Sequence, residues 1–152
     1  MNDAREITPM ITVADQPSEA DLEALKAEGY TGVINLRNDG EPEQPLSVAA
    51  EGGVVRALGM EYLHYGVGGA PLSDEGVASV SDFLDRHASE RVLVHCRKGG
   101  RARALVLLHQ AKARKWTADE AIARGAEMGL EVDGGGLRML VEKYLGDHQE
   151  GA

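Results

Sequence analysis

Aromatic side chains are scarce in this chain: they make up 4% of its 152 residues, with a single Trp and a single Phe. Its core must therefore come from Leu, Val, Ile and Ala, with Tyr30, Tyr62, Phe83 and Trp116 as isolated larger pieces, which suits an α/β protein. Cysteine is scarcer still. Cys96 stands alone and can form no intramolecular disulfide, so nothing in the chain calls for an oxidising compartment and the cytoplasm is the expected location. No apolar run approaches the roughly 20 residues of a membrane span, and the opening MNDAREITPMITVADQ has no apolar stretch of the length a signal peptide needs. Positive charge is short as well: 16 Lys and Arg against 25 Asp and Glu give a formal net charge of -9. A polyanion is bound through clustered cations that displace its counterions, so neither nucleic acid nor an anionic membrane is an expected partner.

What is present has the length of one domain, expected over residues 1–152 with a frayed tail from 146. Short β-type runs alternate with longer helical stretches, the pattern of a mostly parallel sheet covered by helices. Ile11 to Val13 is a weak strand. Ser18 caps a helix with Leu22, Ala24 and Leu25 on its inner side, ended by Gly29. Thr31 to Leu36 reads as a buried strand, Arg37 to Pro45 (RNDGEPEQP) as a polar turn-rich loop, and Leu46 to Leu58 as a helix despite Gly52 and Gly53. Met60 to Tyr65 is the next strand, followed by the run Gly66 to Pro71. Ser73 caps a helix carrying Val77, Val80, Phe83 and Leu84 at core spacing. Thr117 and Glu120 form a capping box for a helix ended by Gly129, and Asp133 with three glycines leads into a last helix, Leu137 to Leu145.

The clearest strand is Arg91 to His95 (RVLVH), and the stretch after it is the informative one. Residues 92–105 read VLVHCRKGGRARAL, with a helix from about Arg101 to Lys115. Cys96 thus falls at the carboxyl end of a buried strand and Arg101 in the first helical turn, where open α/β sheets bind ligands. A helix N-terminus presents unpaired N–H groups and the positive end of the macrodipole, so a loop feeding it can wrap an oxyanion. The same field favours the thiolate, the attacking form of cysteine. Gly99 and Gly100 let the backbone approach the anion and take positive φ. Arg101 can grip two oxygens in a fork, where a lysine acts as a point charge. Arg97, Lys98, Arg101 and Arg103 make this the densest basic segment of an acidic chain.

On these residues the chain resembles the cysteine-dependent phosphatase superfamily, whose HC(x)nR loop joins a central strand to a helix. It is more similar to a bacterial branch, the beta-lactamase-hydrolase-like group, with a loop one residue shorter and spaced Cys-x4-Arg, as Cys96 and Arg101 are. ITVADQPSEADLEALKAEGYTGVINLRNDGE resembles the opening of that branch and YLHYGVGGAPLSDE its middle, while ARKWTADEAIARGAEMGL resembles the superfamily's helical tail. The resemblance implies a protein-tyrosine-phosphatase-like α/β fold, a central mostly parallel sheet of about four to five strands flanked by helices. It also implies hydrolysis of a phosphorylated substrate, protein or small molecule, in two steps through a phosphocysteine and without a cofactor or metal. Cys96 attacks phosphorus, and Arg101 with the loop residues Arg97, Lys98, Gly99, Gly100 and Ala102 holds the oxygens.

Two departures from the superfamily pattern bear on catalysis. Ala102 stands where Ser or Thr usually eases departure of the thiolate. Gly68 and Gly69 stand where an aspartate usually protonates the leaving group. Asp74 is the first substitute, although an acid in a helix's first turn is also favoured by the dipole alone. Asp39 is the second, although a turn explains it equally well. His95 is expected to hydrogen-bond and fix the loop, and His64 to be structural.

Two other readings keep Cys96. A rhodanese-like sulfurtransferase carries a persulfide in a loop that CRKGGR also resembles, yet about 50 residues follow the loop here and INLR lacks the aspartate of that fold. A non-catalytic phosphoryl-binding module fits Ala102 and the missing acid. No exposed apolar stripe marks a surface for a second subunit.

Overall fold

The structure, a computed structural model, describes residues 1–68, 70–132 and 135–148. Among these, β1 (Arg5–Glu6), β2 (Ile11–Ala14), β3 (Tyr30–Asn35), β4 (Glu61–His64) and β5 (Arg91–His95) form one sheet in the order β1-β2-β5-β3-β4. Every pairing is parallel except the short β1 with β2. The expected mostly parallel sheet is thus present with five strands, and β5, the strand that ends at Cys96, lies at its centre between β2 and β3. Its exit is pinned on both sides: Cys96 N–H donates to Ala14 O at 3.3 Å, and Leu36 N–H to His95 O at 3.0 Å.

Successive residues of a strand point to opposite faces, and here the alternation divides two cores. Val92, Val94 and Cys96 join Ile11, Val13, Ile34 and Leu36 in the larger one. It is filled by α3 (Asp74–Arg86), α4 (Gly100–Arg114), α5 (Ala118–Glu127) and α6 (Gly135–His148). Leu93 joins Ala14, Val33 and Tyr30 in the smaller one, under α1 (Glu19–Ala27) and α2 (Val48–Ala57). His95, one residue before Cys96, therefore faces α2 while Cys96 faces α4. α4 is buried nearly all round, from Ala104 through Leu108 as well as at Ala102 and Ala111. That burial explains why its apolar residues run on beyond a single amphipathic stripe.

The caps read from sequence are present: Ser18, Ser73 and Thr117 accept from the helix N–H three residues on, with capping boxes at Ser18–Asp21 and Thr117–Glu120. Differences lie at boundaries and faces. Ala24, expected inside, is exposed, so α1 buries only Leu22 and Leu25. β1 carries no apolar pattern and exists by pairing along β2. α6 continues past Leu145 through Gly146 to His148, where the tail was expected to fray. Its last turn is held by His148, whose ring bonds Tyr144 O at 2.7 Å and Asp74 Oδ1 at 2.5 Å. Gly69, Asp133, Gly134 and residues 149–152, which carry part of the sequence reading, lie outside the described residues. No described helix is long and apolar enough to cross a membrane.

Candidate active site

Strand β5 delivers Cys96 to a turn that doubles back on it. Gly99 sits at φ +99° as the N-cap of α4, a conformation that costs a side-chain-bearing residue about 1–2 kcal/mol. That turn aims the Gly99 N–H at Cys96 Sγ, 3.1 Å away. Gly100 differs from expectation: its φ is not positive, and its need for glycine is contact, since a Cβ there would stand 2.7 Å from Leu137 Cδ1 of α6. Cys96 itself is 1% exposed.

Arg101 reaches back across the loop and meets a residue the sequence did not single out. Its Nη1 and Nη2 donate to the two oxygens of Glu41 at 2.8 and 2.7 Å, and Nη1 also donates to Val67 O at 2.8 Å. A guanidinium has five N–H groups. The Nε–H and one Nη2–H of Arg101 donate to no described oxygen, and together they form a second fork suited to two oxygens of one anion. The Arg101 pKa is raised above its ordinary value, first by the bond to Glu41 and then by the Cys96 sulfur, through charge and hydrogen bonding, against the opposing effect of burial. Glu41, in turn, is held down to about 2, chiefly by the hydrogen bond from Arg101, with the Asn38 N–H and Arg37 adding. It is a carboxylate at any physiological pH.

The other expected residues spread outward. Arg97 is turned to Glu43, with Nε and Nη2 at 3.0 and 2.5 Å from Glu43 Oε1. Lys98 is exposed. Ala102 is fully buried in the larger core, so it offers packing and no hydroxyl. Asp74 does not join the site. It begins α3, 76% exposed, with His148 as its partner. Asp39 accepts the Val48 N–H at 2.8 Å and so helps cap α2. His64 is structural, its Nε2 bonded to Arg37 O at 2.6 Å. His95 is fully buried with its Nε2 at 2.6 Å from Glu51 Oε2.

Glu41, Arg37, Gln16 and Glu51 are the residues that sequence reasoning missed. The loop RNDGEPEQP, read as a polar turn-rich loop, is folded around the buried side chain of Arg37. That guanidinium donates to Glu41 Oε1 at 3.2 Å, to Gln16 Oε1 at 2.8 Å, to Glu43 O at 3.0 Å and to Pro42 O. The one available signal was an arginine directly after a buried strand with a glutamate four residues on.

The curated relatives include the Beta-lactamase hydrolase-like protein of Agrobacterium fabrum, 34% identical over 106 residues, 69% of this chain and 24% of that protein. The protein of the same name from Xylella fastidiosa is 29% identical over 128 residues, 84% of this chain and 29% of the relative. The chain thus spans about a quarter of the length of these relatives. Among solved structures, Tk-PTP in its active form shares the fold with a TM-score of 0.77 at 20% identity over 97% of this chain and 98% of the other. The human tyrosine phosphatase-like serine/threonine/tyrosine-interacting protein does so with a TM-score of 0.70 at 18% identity, covering 97% and 98%. The family model of the beta-lactamase hydrolase-like protein, phosphatase-like domain, matches residues 3–113, which contain the Cys96 loop, Arg101 and Glu41, and the chain belongs to that family.

Proposed function

We propose that this chain is a cysteine-dependent phosphatase that hydrolyses a phosphate monoester through a phosphocysteine. The observation that carries the reading is the Gly99 N–H aimed at Cys96 Sγ from the turn that opens α4, whose Arg101 is fixed by Glu41 and keeps two donors free of any described oxygen. The phosphoryl oxygens take the Nε and Nη2 donors of Arg101 and the loop N–H groups. Sγ attacks phosphorus opposite the leaving oxygen, the S–P bond forms as the P–O bond breaks, and water then hydrolyses the S–P bond to release phosphate and the thiolate. Glu41 fixes Arg101 and stays ionised, so it donates no proton. Asp74 and Asp39 are occupied elsewhere. A leaving group that departs without a proton is therefore preferred, which favours aryl over alkyl phosphates.

The test is hydrolysis of p-nitrophenyl phosphate by the wild type and by Cys96→Ser. Turnover that vanishes in the variant is expected. Wild-type turnover that survives the substitution would remove Cys96 as the nucleophile.

The ionised Glu41 and the engagement of Asp74 and Asp39 elsewhere also suit a second reading, sulfur transfer. A Cys96 thiolate would take the outer sulfur of thiosulfate as sulfite leaves, an anion that needs no protonation. Cyanide would then remove that sulfur as thiocyanate and restore the thiolate. Thiocyanate production without aryl phosphate hydrolysis would establish this reading over the first. Tight phosphate binding with neither turnover would leave a phosphoryl-binding module.

A further inference from the structure

The side chain of Glu51 is fully buried, on α2, and no part of the proposed reaction uses it. Burying a carboxylate costs several kcal/mol unless it is paired and fully hydrogen-bonded. Both oxygens of Glu51 are engaged: Oε2 with His95 Nε2 at 2.6 Å and Oε1 with Gln16 Nε2 at 2.9 Å. Gln16 passes the connection on through its own oxygen to Arg37 Nη1 at 2.8 Å, and Arg37 Nε reaches Glu41 at 3.2 Å. Glu41 ends the series on Arg101. The path starts at the residue before Cys96 and finishes at the arginine that closes the same loop. Six side chains from five parts of the chain thus run from one end of the loop to the other beneath it.

Anchoring α2 to the sheet would need only the His95–Glu51 contact. The continuation to Arg37 and Glu41 goes further, because it makes the place of each side chain depend on the next. His95 Nδ1 is buried without a partner, so the ring is oriented by its Nε2 bond to Glu51 alone among the described residues.

We propose that Glu51 is a positioning residue for the Cys96 loop. It acts through His95 at the entry of the loop and, by way of Gln16, Arg37 and Glu41, on the Arg101 fork at its exit. The claim rests on Cys96 to Arg101 being an oxyanion-binding loop, and it holds whether the loop transfers phosphorus or sulfur.

The test measures how much inorganic phosphate halves the rate at which iodoacetamide alkylates Cys96, with thermal unfolding recorded for each variant. Glu51→Gln keeps an oxygen acceptor for His95 but sets an NH2 against the Gln16 NH2, so it is expected to fall between wild type and Glu51→Leu, about threefold from wild type. Glu51→Leu removes both bonds and is expected to need at least about tenfold more phosphate. Gln16 is only partly buried, so Gln16→Met interrupts the path in a variant that folds even if Glu51→Leu does not; a shift of about threefold or more is expected. In Gln16→Met with Glu41→Gln the shifts should fall short of multiplying, because the two sites share one path.

Folded Gln16→Met or Glu51→Leu with wild-type phosphate protection, or shifts that multiply as independent sites do, overturns the proposal. Protection without any aryl phosphate turnover in the wild type would overturn the phosphatase reading and leave the positioning role intact. A wild type that phosphate does not protect would remove both.

Discussion

The two faces of the sheet solve opposite problems. On the α4 face, Val92, Val94 and Cys96 enter a core of aliphatic side chains in which Leu105, Val106 and Leu107 are almost fully removed from water. On the α2 face the same strand contributes Leu93 and then His95, and the apolar cluster gives way toward the carboxyl ends of the strands to Glu51, Arg37 and Asn35, all buried and all hydrogen-bonded. Stability comes chiefly from burial of apolar surface, which is non-directional. Fixed geometry at the loop comes from polar bonds, which are directional. The Cys96 sulfur therefore sits in the apolar face, while the bonded polar groups beneath its loop belong to the other.

This division separates effects on stability from effects on the site. The largest expected change is Leu107→Ala, which opens a cavity beside Gly125 in the aliphatic face and should lower stability by about 2–5 kcal/mol, read by denaturant unfolding. If phosphate protection of Cys96 fell as far in this variant while it remained folded, the separation would be wrong. Arg101→Lys should act in the reverse sense. Losing the fork that faces the anion should cost about 100-fold in turnover of an aryl phosphate, with a much smaller change in unfolding midpoint.

Gly99→Ala belongs to neither face, since it forces a side chain into φ +99° and toward Arg103. It should cost about 1–2 kcal/mol of stability and weaken phosphate binding as the Gly99 N–H turns away from Cys96.

Glu41 tests the polar face through pH. Its pKa in the folded state lies at about 2, below the ordinary 4.5, so the ionised form is favoured by folding. The associated stability is present in full above pH 4.5 and is lost as pH falls through that value toward about 2. Glu41→Gln should flatten unfolding stability against pH across that window, and an unchanged slope would mean that the Arg101 pair contributes nothing to it. The smallest effect is expected at Asp74. Paired in the open with His148, it should leave turnover within about twofold when changed to Asn. A loss of about 100-fold would instead make it the proton donor.

Much of this arrangement is legible in the chain. The strands Thr31 to Leu36 and Arg91 to His95 and the three side-chain caps Ser18, Ser73 and Thr117 are local signals, set by apolar period and by short side chains that satisfy free N–H groups. The same holds for the Cys96 to Arg101 spacing, because a strand, a glycine turn and a helix start follow one another in sequence. Ala24 was misplaced because its spacing allows the inner face and only the packing of α1 leaves it exposed. Nothing local marked Glu51 either, and Glu41 was hinted at only by its place four residues after Arg37. A glutamate in the first turn of a helix and another in a polar loop are ordinary surface residues until distant segments close over them.

The sequence by itself determined the sheet-and-helix alternation and the strand–turn–helix spacing of Cys96 and Arg101, since each depends on neighbours a few positions away. Tertiary structure alone decided what holds that arginine and its loop. Gln16, Arg37, Glu41, Glu51 and His95 come from separate turns, strands and helices, and the bonds among them exist only once the chain has folded and excluded the water that would otherwise solvate each one.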